Sequence, residues 1–255
     1  MTLSAREVSI SFGGVQALQD VSIVLEQGRT VALIGPNGAG KSTLINCLTG
    51  HYQPSSGSVV LDGRDITRRP PEARVMDGLT RTFQTPRIDH SSTVRENVMV
   101  GFYAETKSRL LATMVRSPRQ RREEKMIQRA VDELLERFEL TEVAHTRAGE
   151  LPVWQVRIVE IARSATMKPS YMLLDEPAAG LDAAERQRLG EHIKALSAAG
   201  IGVLLVEHNF DFVRQVSDHV MVIDRGRSLA EGTVDEITKN ALVIEAYLGG
   251  VDNGQ

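Results

Sequence analysis

Cysteine is almost absent from this sequence: Cys47 is the only one in 255 residues, so no intramolecular disulfide can form. That agrees with a reducing compartment. Cys47 stands among Leu44, Ile45 and Leu48 on an expected helix and reads as core packing. Long apolar runs are missing too. The longest, residues 201–206 and 219–223, are strand-sized, whereas a spanning helix needs roughly 20 largely apolar residues, so no segment is expected to cross a bilayer. Residues 1–7 lack the basic start and apolar run of a secretory signal, and a cytoplasmic location is expected. Charge of one sign is not in excess either. With 30 Lys and Arg against 33 Asp and Glu, the formal net charge of -3 provides no global basic field for nucleic acid or anionic lipid. Low-complexity segments and internal repeats are likewise not found.

What is present is enough apolar material, 42% of residues, to bury a sizeable core in one large or two closely joined domains. Residues 7–25 alternate apolar and polar around Gly13-Gly14, with Gly28 marking the next turn, which predicts antiparallel strands. Residues 30–34 (TVALI) form a continuous apolar strand of the kind buried on both faces, followed by a Gly-rich stretch and a helix at 42–48. A further strand and turn fall at 58–63, and Pro70-Pro71 opens a short helix over 72–76. From 85 to 167 strand signals give way to mixed-charge segments with leucine spacing, such as 121–138, and a helical insert is expected. Strands and helices then alternate again: 171–174, 183–198, 201–206, 210–216 and 219–223. The two β-rich parts should close into one α/β core.

The string at 35–43 satisfies G-x-x-x-x-G-K-S/T through Gly35, Pro36, Asn37, Gly38, Ala39, Gly40, Lys41, Ser42 and Thr43. Glycines permit positive φ, so that successive N–H groups converge on phosphate oxygens, and the following helix adds its positive end. Lys41 supplies a mobile charge for the β- and γ-phosphates, and the Ser42 hydroxyl suits Mg²⁺. Residues 171–176 (YMLLDE) end an apolar strand in two acids. In a P-loop protein, ligands gather at the carboxyl ends of parallel strands, so Asp175 is expected to face Mg²⁺. Glu176 is then placed to hold an attacking water as general base. ATP and Mg²⁺ are the ligands these residues call for.

With four further features the chain resembles ABC transporter ATP-binding subunits over nearly its whole length. Gln84, in Arg81-Thr82-Phe83-Gln84, is similar to that family's Q-loop glutamine, which contacts Mg²⁺ and water. His208, in Leu204-Leu205-Val206-Glu207-His208, is similar to its switch histidine, Asp182 to its D-loop aspartate, and Phe12 to its adenine-stacking aromatic. The resemblance implies a P-loop NTPase core with an N-terminal antiparallel β-subdomain (1–84 and 168–255) and an inserted helical signature subdomain (85–167). The strings FGG at 12–14, CLTG at 47–50, RTFQ at 81–84, LDEPAAGL at 174–181 and VIEAYLG at 243–249 resemble the branched-chain amino-acid type of importer. That implies a second ATPase subunit, transmembrane permeases, a solute-binding protein, and peripheral attachment to the cytoplasmic face of the membrane.

One motif departs from the family. Its signature falls on Leu151, Pro152, Val153, Trp154 and Gln155, ahead of a helix expected over 156–165. Proline suits the first turn of a helix. Trp154, however, stands where the family has a glycine whose backbone approaches the γ-phosphate on the partner subunit, and an indole obstructs that approach. A weakened composite site, favouring a heterodimer over a homodimer, is one expectation; an indole that packs sideways and leaves its N–H available is the other. The stretch 88–92 lacks the apolar residues usual after the Q-loop. The basic run over 116–129, with Arg119, Arg121, Arg122 and Lys125 beside Glu123 and Glu124, reads as a solvated helix face. Two alternatives stay open here: a nucleotide-binding regulator with weak turnover, and a soluble relative acting on DNA or the ribosome.

Overall fold

A computed structural model describes residues 1–82, 86–103 and 118–248. Phe83, Gln84, Arg116 and Gly249 lie outside these residues, as do the side chains of Arg119, Arg121 and Glu123. The chain divides into two compact units, Met1–Gln84 with Ser170–Gln255, and Thr85–Pro169.

The first unit opens with β1 (Thr2–Phe12) and β2 (Val15–Glu26), an antiparallel pair turning at Gly13 and Gly14. After β3 (Thr30–Ile34) and α1 (Lys41–Thr49), the strands β4 (Ser56–Leu61) and β5 (Arg64–Asp65) complete a four-stranded antiparallel sheet in the order β2-β1-β4-β5. The short helix α2 (Pro71–Met76) leads to β6 (Leu79–Arg81).

The described residues of the second unit include the α-helices α3 (Val94–Tyr103), α4 (Pro118–Arg137) and α5 (Val153–Ala165). The chain then returns to the first unit through β7 (Tyr171–Asp175), α6 (Ala183–Ala198), β8 (Gly202–Val206), α7 (Phe210–Val216), β9 (His219–Asp224), β10 (Arg227–Gly232), α8 (Val234–Lys239) and α9 (Ala241–Leu248). The second sheet runs β10-β9-β3-β8-β7-β6, parallel throughout except for the antiparallel edge strand β10.

Every residue of β3, β7 and β8 is buried, because both faces of this sheet are covered. Side chains alternate between the two faces. Val31 and Leu33 join α1 and the antiparallel sheet in one core, while Ala32 and Ile34 join Val213, Val234, Ile237 and Val243 from α7, α8 and α9 in another. Cys47 is fully buried in the first core, where burial pushes its thiol up to about 11. Arg74 closes the carboxyl end of α1. Its Nη1 donates to Cys47 O (2.7 Å) and Leu48 O (2.6 Å), its Nε to Arg69 O (2.9 Å) and its Nη2 to Thr67 O (2.8 Å). A cation there meets the negative end of the helix dipole as well as its terminal carbonyls.

In the helical unit α3 packs on α4 and α5, and Val94, Val98, Val131, Leu135, Ile158 and Ile161 are buried. A Cβ on Gly101 would lie 2.2 Å from Thr166 Oγ1, so only glycine lets these segments approach. Arg122, Lys125 and Arg129 are exposed on α4. The loop ahead of α3 is held by side chains: Asn97 Nδ2 donates to Asp89 O (2.8 Å), and Asp89 Oδ1 and Oδ2 accept from Ser91 and Ser92 Oγ (2.6 Å each), which holds the Asp89 carboxyl down to about 2. The helix α5 begins at Val153, three residues ahead of the expectation, so Pro152 precedes the helix rather than occupying its first turn. The Pro152 carbonyl accepts from Gln155 N (3.0 Å) and Val156 N (3.2 Å), closing a turn that the β-branched and aromatic residues there did not advertise. Among the described residues no helix is long and apolar enough to cross a membrane.

Candidate nucleotide site

The strand order brings the carboxyl ends of β3, β8 and β7 side by side, and the polar residues singled out in the sequence follow those three ends. After β3 comes the Gly-rich loop, with Gly35 at φ +154°, Gly38 at +79° and Gly40 at +105°. A Cβ on Gly35 would lie 2.1 Å from Ile223 O, and one on Gly40 2.7 Å from Ala17 O. These two glycines let the loop press against β9 and β2. Gly38 differs, since nothing lies within 4 Å of its missing Cβ; it and Asn37 are exposed, while Ala39 is buried.

The helix α1 starts at Lys41 with no side-chain cap and no acidic residue in its first turn, so its amides and positive end suit an anion. Ser42 is exposed and Thr43 half-buried on that turn. Lys41 Nζ donates to Gly35 O (2.6 Å) and Pro36 O (2.9 Å), folding its ammonium over the loop. Burial pulls Lys41 below its ordinary value, and the Glu176 and Asp175 carboxylates act against that shift.

Asp175 ends β7 opposite Val206 of β8, and Glu176 N donates to Val206 O (2.9 Å). Glu176 takes φ +47°, a left-handed conformation uncommon for a residue with a side chain. His208 follows β8, with its Nδ1 4.0 Å from Glu176 Oε1. Asn209 caps α7 by accepting from Phe212 N (2.9 Å), which sets where His208 leaves the strand.

Phe12 ends β1 with 45% of its surface exposed, its ring meeting Tyr52 edge-on at 5.1 Å. Asp182 is exposed and caps α6: its Oδ1 accepts from Glu185 N (2.8 Å) while Glu185 Oε2 accepts from Asp182 N (3.0 Å). In the helical unit Leu151 precedes the exposed Pro152 and Val153, and Trp154 and Gln155 are half-buried on the first turn of α5.

Two residues that sequence reasoning gave no role stand beside this machinery. Arg81 Nη2 pairs with Asp175 Oδ2 at 2.8 Å. Glu207 is buried, its Oε1 accepting from Ala178 N (2.8 Å) and its Oε2 from His208 N (3.2 Å), so one carboxylate ties the segment after Glu176 to the histidine. Burial pushes the Glu207 carboxyl up, with these amide donors acting against it. An acid directly after an apolar strand was the only signal for Glu207, and a basic residue ending a short strand the only one for Arg81.

The residues fit magnesium carried by a triphosphate. A hydroxyl and a carboxylate suit a cation that keeps oxygen ligands, and among the described residues no cluster of three or more His, Cys, Asp or Glu side chains could hold a metal.

A family model described as ABC transporter matches residues 18–179, and one described as branched-chain amino acid ATP-binding cassette transporter matches residues 227–253. The chain is 40% identical over 248 residues to a high-affinity branched-chain amino acid transport ATP-binding protein of Pseudomonas aeruginosa, covering 97% of each chain. It is 38% identical to the protein of that description from Escherichia coli, again over 97% of each. Among solved structures it resembles an ATP-binding cassette of an ABC transporter in its ADP conformation, with a TM-score of 0.86 and 33% identity over 98% of this chain and 99% of that one. A nucleotide-free cassette gives 0.84 and 34%, over 97% and 99%.

Proposed function

The chain belongs to the ABC transporter family, and from that premise we propose how its residues divide the work of an ATP-driven importer. It is an ATP-binding and ATP-hydrolysing subunit, homologous to the ATPases of branched-chain amino acid transport. Gly35 through Thr43 bind the triphosphate, with backbone amides and Lys41 on the β- and γ-phosphates, and Phe12 stacks on adenine. Ser42 and Asp175 would hold Mg²⁺, which when bound would neutralise charge on the triphosphate. Gln84 is assigned to the metal and water by resemblance alone.

Glu176 accepts the proton of the attacking water, and His208 bonds the γ-phosphate and senses its loss. The observation that carries this reading is the convergence of Lys41, Asp175, Glu176 and His208 on three adjacent strand ends.

The unit ahead of residue 85 and after 169 acts as the nucleotide-binding part of one ATPase domain, and the helical unit carries the signature. Leu151 through Gln155, with Asp182, face a second ATPase subunit across a dimer. Two such subunits close around two nucleotides and pull on transmembrane permeases at the cytoplasmic face of the membrane. A solute-binding protein delivers the cargo, a branched-chain amino acid or a related small solute. Trp154 in the signature favours a heterodimer, in which the site completed by this signature turns over weakly. Nucleic acid and ribosome are set aside, since the relatives are transport proteins.

The test is ATP binding and steady-state hydrolysis by the purified protein, Lys41→Ala, Glu176→Gln and Trp154→Gly. Lys41→Ala should lose affinity. Glu176→Gln should keep it while turnover falls by about 10²–10⁴. Trp154→Gly should raise turnover of the homodimer, and an unchanged rate counts against the weakened site. A folded protein without affinity for ATP, indifferent to Lys41→Ala, refutes the assignment.

A further inference from the structure

We propose that Arg81 is a positioning residue for magnesium: its guanidinium holds one oxygen of Asp175, so that the other is presented to the metal while the helix after the phosphate loop stays in register with the strand. The inference rests on the reading of Asp175 as the carboxylate that faces Mg²⁺.

Arg81 ends the edge strand β6, where it lies opposite Leu173 of β7, two residues before Asp175. From there the side chain forks. Nη2 meets Asp175 Oδ2 at 2.8 Å and Nη1 meets Asn46 Oδ1 at 2.6 Å. The Arg81 and Asp175 side chains are each only 11% exposed, so the pair is shielded from water and its geometry is held by packing. Asn46 belongs to α1, the helix that begins with Lys41 and Ser42. One planar group therefore joins the element carrying the phosphate and metal ligands of the loop to the element carrying the acids.

A carboxylate has two oxygens, and the ion pair takes one. Metal-ligating carboxylates are themselves oriented by hydrogen bonds, and loss of such a partner typically lowers metal affinity about 10–100-fold. A freely rotating Asp175 would have to be ordered each time the metal arrives. Lysine at 81 retains the charge but offers no rigid fork, so it can satisfy Asp175 or Asn46 and not both in this geometry. The arrangement also balances charge before any ligand enters: Lys41 and Arg81 stand against Asp175 and Glu176.

The experiment measures binding of a fluorescent ATP analogue to the full chain, first in EDTA and then as a function of Mg²⁺, for the wild type, Arg81→Met, Arg81→Lys, Asn46→Ala and Asp175→Asn. Arg81→Met should raise the Mg²⁺ concentration at half-effect by about 10–100-fold, with affinity in EDTA within about twofold of wild type. Arg81→Lys and Asn46→Ala should fall between. Should Arg81→Met fail to fold, Arg81→Lys decides the matter, with the same direction of shift expected.

An unchanged Mg²⁺ requirement overturns the inference. So does an equal loss in EDTA and in Mg²⁺, which would make Arg81 a structural brace alone. Asp175→Asn separates the two levels. If it also leaves the Mg²⁺ requirement untouched, the metal role of Asp175 itself fails; if it raises that requirement while the Arg81 variants do not, only the role of Arg81 falls. The double variant Arg81→Met with Asp175→Asn should require no more Mg²⁺ than Asp175→Asn alone, because the two residues act through one carboxylate.

Discussion

Replacing Glu176 by glycine should make the protein more stable and at the same time nearly inactive. Glu176 sits at φ +47°, where a side chain crowds its own backbone at a cost of roughly 1–2 kcal/mol. Its amide is pinned to Val206 O at 2.9 Å, and Pro177 follows, so the backbone has little freedom to relax. Glycine relieves the strain but gains about 0.5–1 kcal/mol of freedom in the unfolded chain. The net expectation is a stabilisation within about 0–1.5 kcal/mol, centred on ~0.75 kcal/mol, which corresponds at that centre to roughly 2–3 °C in melting temperature for a chain of this size. Glu176→Gln is the control, since it removes the charge and keeps the strained backbone. Thermal unfolding without nucleotide, followed by circular dichroism, should place Glu176→Gly above Glu176→Gln, with hydrolysis down by about 10²–10⁴ in both. A melting temperature for Glu176→Gly at or below that of Glu176→Gln would refute the argument that strain is stored at this residue.

Two further outcomes follow from the same geometry. Gly35→Ala would drive a Cβ to 2.1 Å from the Ile223 carbonyl, so chemical denaturation should show a loss of about 1–3 kcal/mol and calorimetry weakened nucleotide binding; Gly38→Ala, with open space around it, should cost only about 1 kcal/mol for its left-handed backbone. Glu207 has its carboxyl pushed up by burial, so the folded state keeps the proton that the unfolded chain gives up. Its contribution is therefore full below the ordinary carboxylate value and is lost as pH rises through the folded one. Stability curves between pH 5 and pH 8 should show the wild type losing ground against Glu207→Gln as pH rises, and parallel curves would contradict the shift.

Features written in consecutive residues were legible from the amino-acid order. The loop at 35–43 needs its glycines, lysine and serine at fixed spacing. The strands at 30–34 and 171–175 declare themselves as unbroken apolar runs, and helices at 183–198 and 210–216 as periodic ones. The short edge strands β5 and β6, and the terminal β10, α8 and α9, did not stand out. A strand of two or three residues has no period, and an edge strand mixes exposed with buried positions.

Which distant residues meet depends on the folded arrangement. Arg81 reaches Asp175 and Asn46 because β6 lies beside β7 at the sheet edge, across sequence separations of 94 and 35 residues. Glu207 finds the Ala178 amide because β7 and β8 are neighbours, and Glu176 takes its left-handed backbone because it must turn there while bonded to Val206. Strand order is a property of the closed core, set by which apolar faces bury one another, and no local pattern of residues carries it.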